Sequence, residues 1–128
     1  MLHITSQLFL TNCYHALLKE TYFYSVAFFS LAVTSYFQHT LHTDVTYWID
    51  QAALWTVIST GGYYLFTHLS LVNYFIPVIC FVYSGILYKY GKMNQCFCFD
   101  SNEEIALVSH TLLHLVSSLG HHVILASL

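Results

Sequence analysis

Charge is what this chain has least of. Asp, Glu, Lys and Arg together make up 7% of its 128 residues, and only three residues are basic. A soluble domain carries about a quarter of its residues charged. With so little polar surface the chain reads as an integral membrane protein, multi-pass, in one domain. Three lysines form no cationic patch, which excludes nucleic acid as a partner. Cysteine is sparse as well. Cys13 and Cys80 lie in apolar runs, and Cys96 and Cys98 are too close in sequence to bridge comfortably. Neither a disulfide framework nor a zinc ribbon is present; "CFCF" reads as a tight interfacial loop. The start, "MLHITSQLFLTNCYHALLKE", has no charged n-region and no small-residue cleavage site, so no secretory signal is expected there. Internal repeats and low-complexity tracts are absent too.

What the chain does have is apolar length. Hydrophobic residues make up 57% of it. Four segments approach the ~20 residues that cross a ~30 Å hydrocarbon layer: about Thr21 to Leu41, Tyr47 to Leu69, Leu71 to Tyr90 and Glu104 to Leu128. Backbone groups in lipid must be satisfied within their own segment, so these are helices. Residues 1–19 form a short fifth span or an interfacial helix. The fold class expected is an all-α polytopic transmembrane bundle of four to five helices.

The breaks between segments are legible. "HTDVT" separates the first pair, with Thr46 as an N-cap. Ser101 or Asn102 caps the last helix, with Glu103 and Glu104 in its first turn, where the helix dipole favours anions. Pro77, the only proline, is expected to kink the third helix. Gly61-Gly62 permits close helix contact. Lys89 and Lys92 place the loop after the third helix in the cytoplasm by the positive-inside rule.

Against this background the ionisable residues stand out. Alternating helix directions put His39, Asp50, His110 and His114 in one leaflet, from three different helices. His110 and His114 are i and i+4, on one helix face one turn apart, a spacing used by helical zinc motifs. Ser35 and His39 share a face in the same way. Three imidazoles, a carboxylate and a hydroxyl suit Zn²⁺, which takes three protein ligands in a catalytic site and leaves a fourth position to water.

The order of these groups resembles a known family. "SYFQH" (Ser35 to His39), an Asp eleven residues after that His in "YWIDQAALW" (Asp50), and a late "SHTLLHLV" (His110, His114) are similar to the motifs of the CREST superfamily of membrane hydrolases. That group includes alkaline ceramidases, adiponectin-type receptors and myomaker-like proteins. The resemblance implies His39, His110 and His114 as zinc ligands. It implies Asp50 as the group that positions or deprotonates a water, and Ser35 as a hydroxyl that holds the water or an oxyanion. It further implies ceramidase-like hydrolysis of the C–N bond of a lipid amide, with membrane lipids as partners. Members of the family usually have seven spans, so this chain resembles a shortened member, and a homo-oligomer would complete the bundle.

Other readings follow from the same residues. Bis-histidine haem ligation would use His39 with His110 or His114. A non-catalytic receptor-like or scaffold protein would use the polar groups for helix packing or for a partner helix. His42 reads as a solvated loop residue. His121 and His122 read as interfacial, and His3, His15 and His68 likewise. The tyrosines, Trp48 and Trp55 read mostly as aromatic belt and helix packing.

Overall fold

The computed structural model describes residues 1–128, and every regular element in it is helical. The all-α expectation therefore holds. Helix α1 (Leu2–Thr5), a 3₁₀ turn (Ser6–Leu8) and α2 (Phe9–Leu18) run on as one N-terminal stretch. Helices α3 (Tyr22–Leu41) and α4 (Asp44–His68) follow. Helix α5 (Leu71–Gly85) passes through a π-helical turn (Ile86–Tyr90) into α6 (Gly91–Asn94). A short 3₁₀ turn (Phe97–Phe99) leads to α7 (Glu103–Ala126).

The caps explain the boundaries. Thr43, not Thr46, is the N-cap of α4. Its hydroxyl accepts from the Thr46 backbone N–H at 3.2 Å, and the Thr43 N–H donates back to Thr46 Oγ1 at 3.1 Å. This reciprocal box satisfies two otherwise unpaired donors and starts the helix three residues earlier than Tyr47, the start expected from the sequence. Asn102 caps α7 by accepting from the Glu104 and Ile105 N–H groups. Helix α3 ends where His42 turns left-handed at φ 53°, and its ring is exposed.

The core is built between α2, α3, α4 and α7. Tyr24, Phe28 and Leu31 of α3, Val57 and Leu65 of α4, and Ile124 and Leu125 of α7 are buried. In α4 the buried positions Ala53, Val57, Gly61 and Leu65 recur every four residues, one stripe of the helix facing inward. Gly61 lies so close to α7 that an added Cβ would sit 2.7 Å from His121 Cε1. Gly62 borders open space, so close packing is the work of one glycine of the pair.

The outer faces remain apolar: Phe23, Val26, Phe66, Val72, Phe75 and Ile79 are all more than 60% exposed. By length and composition, one helical stretch, Leu71–Asn94, is long and apolar enough to cross a membrane. Helices α3, α4 and α7 have 20, 25 and 24 residues. They have the length for a span, but their polar side chains keep mean hydropathy below that of a simple one.

Candidate functional site

The antiparallel run of the long helices puts the C-terminal end of α3 beside the N-terminal halves of α4 and α7. His39 is in the last turn of α3, and Asp50 is nearly two turns into α4. His110 and His114 lie two and three turns into α7.

Three imidazoles converge there. Ring centroids are 4.9 Å apart for His39 and His110, 4.9 Å for His110 and His114, and 5.5 Å for His39 and His114. One nitrogen from each ring lies within 4.8 Å of the others. A tetrahedral Zn²⁺ with bonds of 2.0–2.1 Å holds its ligands about 3.4 Å apart. Modest side-chain rotation therefore closes this set around one ion, and the chemistry of three neutral imidazoles suits zinc. The three rings come from both sides of the bundle, so a metal here would tie α3 to α7.

Asp50 lies outside that ligand set and has its own support. Its Oδ1 accepts from Ser35 Oγ at 2.7 Å and from Thr34 Oγ1 at 3.1 Å. Ser35 is buried, one turn before His39 on α3. The carboxylate is therefore tied to α3 at Thr34 and Ser35, one helical turn of sequence before His39. Charge-assisted hydrogen bonds of this kind are short and roughly twice as strong as neutral ones.

The structure thus gathers Ser35, His39, Asp50, His110 and His114 at one end of the bundle. It adds three residues that the sequence did not single out. Thr34 is the second donor to Asp50. Thr5 contacts His114, with Oγ1 2.8 Å from Nδ1. Tyr88, in the π-helical turn, has its ring 6.4 Å from that of His110 and accepts from Gln51 Nε2 at 3.1 Å. Single π turns inside helices occur frequently at functional sites, and the Gly85-to-Gly91 spacing around this one is the only sequence signal for it.

His121 is not interfacial. Its ring is 2% exposed, hydrogen-bonded to the Tyr24 hydroxyl, and packed against Phe28 and Phe81. It sits two turns beyond His114, away from the cluster, where it serves as a polar core residue. His122 faces the N-terminal stretch instead, 2.8 Å from His15 and 2.9 Å from Thr11. All four cysteines are free, and Cys98 is buried within the turn before α7.

A groove of about 130 Å³ runs between α3 and α4, lined by Phe23, Val26, Ala27, Ser30, Ala53 and Thr56. It does not touch the histidines. Its near end, at Ser30 and Ala53, is about one turn from Thr34 and Asp50.

No family model, curated protein or solved structure matches this chain.

Proposed function

We propose that this chain is a multi-pass integral membrane protein and a zinc-dependent hydrolase of a lipid amide. The observation that carries the reading is the convergence of His39, His110 and His114 to within 4.8 Å, beside a carboxylate held by two hydroxyls. The broad apolar outer faces support the membrane setting, since soluble monomers rarely expose apolar patches above a few hundred Å². Polar groups cost most in such a setting, and a converging set of them marks a site.

His39, His110 and His114 would hold the ion through one nitrogen each. Zinc there would act as a Lewis acid and lower the pKa of a bound water to about 7. Asp50 would be the group to accept a proton from a water there and to return it to a departing amine, the usual duty of a positioned carboxylate. Thr34 and Ser35 orient that carboxylate. The groove between α3 and α4 starts about one turn from Asp50 and is lined mostly by apolar side chains, with room for a short apolar segment. That lining favours a lipid amide over a small polar one.

Ring centroids only 4.9–5.5 Å apart leave little room for a haem between any pair of these imidazoles and support a single ion instead.

The test is metal analysis of the full chain purified in detergent, wild type beside His110→Ala, followed by hydrolysis of a ceramide-like amide. About one zinc per chain, lost in the variant, together with zinc-dependent amine release, is the expected result. A wild-type protein without zinc removes this reading. Zinc without amine release leaves a metal-bound receptor or scaffold.

A further inference from the structure

The N-terminal stretch is joined to α7 by a row of polar contacts. His114, Ser118 and His122 occupy i, i+4 and i+8 on α7, one face of the helix. Thr5 meets His114 at 2.8 Å. Asn12 donates Nδ2–H to the Ser118 carbonyl at 2.9 Å and accepts from the Ser118 hydroxyl at 2.7 Å. Thr11 meets His122 at 2.9 Å. The row fixes where residues 2–18 lie and sets Thr5 against the imidazole cluster.

The Thr5 hydroxyl has a second contact. Its Oγ1 lies 3.2 Å from the Leu2 carbonyl oxygen, which can only accept. A hydroxyl carries one proton. Both contacts are satisfied only if Thr5 donates to Leu2 and accepts from His114. The proton on His114 is then on Nδ1, and the lone pair is on Nε2. Thr11 repeats the device, donating to the Leu8 carbonyl while facing His122 Nε2.

We infer that Thr5 is a positioning residue: it fixes His114 as the Nδ1–H tautomer and so presents Nε2 as the ligating atom, making the N-terminal stretch part of the candidate site. Ligating histidines commonly give their other N–H to a carboxylate, backbone carbonyl or water, and loss of that partner weakens metal binding by about 10–100-fold; the Thr5 hydroxyl oxygen takes the same place as acceptor. This inference rests on the proposed metal site for its consequence, but the tautomer itself does not depend on metal.

The experiment is selective ¹⁵N labelling of histidine in the full chain in detergent micelles, metal-free. Imidazole nitrogen spectra are recorded for wild type, Thr5→Val and Thr5→Ser, and Co²⁺ is then titrated into each. Wild type and Thr5→Ser should show His114 protonated on Nδ1, and Thr5→Val should lose that preference. Cobalt affinity should fall about 10–100-fold in Thr5→Val and recover in Thr5→Ser. An Nε2–H tautomer in wild type overturns the inference, as does unchanged tautomer and affinity in Thr5→Val. If the tautomers behave as stated but no variant binds Co²⁺ or Zn²⁺, the tautomer assignment stands and the metal-site reading falls alone.

Discussion

Ser35 donates to Asp50 Oδ1 at 2.7 Å, across the interface between α3 and α4. The bond joins a helix that carries one ring of the imidazole cluster to a helix that carries none. A buried serine is usually free to turn back to its own backbone, yet this one points at a carboxylate. Thr34, its neighbour, donates to the same oxygen at 3.1 Å. Two donors on one oxygen leave Oδ2 of Asp50 as the atom available for proton transfer.

Asp50→Asn should therefore separate binding from turnover. The amide keeps an oxygen for Ser35 and Thr34 but cannot take a proton. Zinc content should stay at the wild-type level, and amide hydrolysis should fall about 10²–10⁴-fold. Ser35→Ala leaves Thr34 in place and should cost about 10–100-fold, the effect of one lost hydrogen bond to a charged acceptor. Parallel metal analysis and amine-release kinetics on the two variants check both. Loss of zinc in Asp50→Asn would show the carboxylate to be a ligand rather than a base.

Gly61 and Gly62 provide a matched pair for packing. A methyl group at Gly61 would lie 2.7 Å from His121 Cε1 and 3.0 Å from the Tyr24 hydroxyl oxygen. His121 is buried and bonded to Tyr24, so it cannot swing aside without breaking that bond. Gly61→Ala should destabilise the bundle by about 1–3 kcal/mol, the usual cost of overpacking. Gly62→Ala meets nothing within 4 Å and, in a helix interior, should be neutral or stabilise by up to about 1 kcal/mol. Unfolding midpoints of both variants in the same detergent settle the comparison.

The parts of the site that could be read in the sequence are those with a local period. His110 and His114 share a helix face by spacing alone, as do Ser35 and His39. Helix direction then brought Asp50 to the same end. The remaining parts come from long-range packing. Thr5 lies 109 positions from His114, and nothing in "LHITSQLF" says which helix it will touch. Thr34 was hidden by being one of many hydroxyls in α3. His121 sits near the end of the last helix, and position alone suggested an interface. It is buried because Gly61 lets α4 approach and because Tyr24 reaches across with a hydroxyl.

The Asn12–Ser118 pair makes a prediction about assembly of the N-terminal stretch. Both side chains are buried, and each satisfies the other. Asn12→Ala strands the Ser118 hydroxyl and removes the bond to the Ser118 carbonyl. Hydrogen bonds between membrane helices average about 0.6 kcal/mol and reach about 1.7 kcal/mol by double-mutant cycles. A cycle over Asn12→Ala and Ser118→Ala reports the side-chain bond alone, because alanine keeps the Ser118 carbonyl, and should give a coupling of about 0.6 kcal/mol or more. A coupling near zero would mean that the Ser118 hydroxyl does not help to hold α2 on α7.

Cys98 offers a test of the loop before α7. Burial pushes its thiol up to about 11. The neighbouring Cys96 is half-buried and on the same turn. Thiolate, not thiol, is the nucleophile. A group with its pKa near 11 is only about one part in a thousand thiolate at pH 8. In single-cysteine variants that keep Cys98, alkylation by iodoacetamide should be slow at pH 8 and rise about tenfold for each pH unit up to pH 10. The sign follows from the raised value: lowering the pH depletes the reactive form, and raising it restores the form until the thiol is half ionised near pH 11. Mass spectrometry of time points at three pH values would measure the slope. Fast labelling at pH 8 would place Cys98 in solvent and would mean that the 3₁₀ turn at Phe97–Phe99 does not turn its thiol inward.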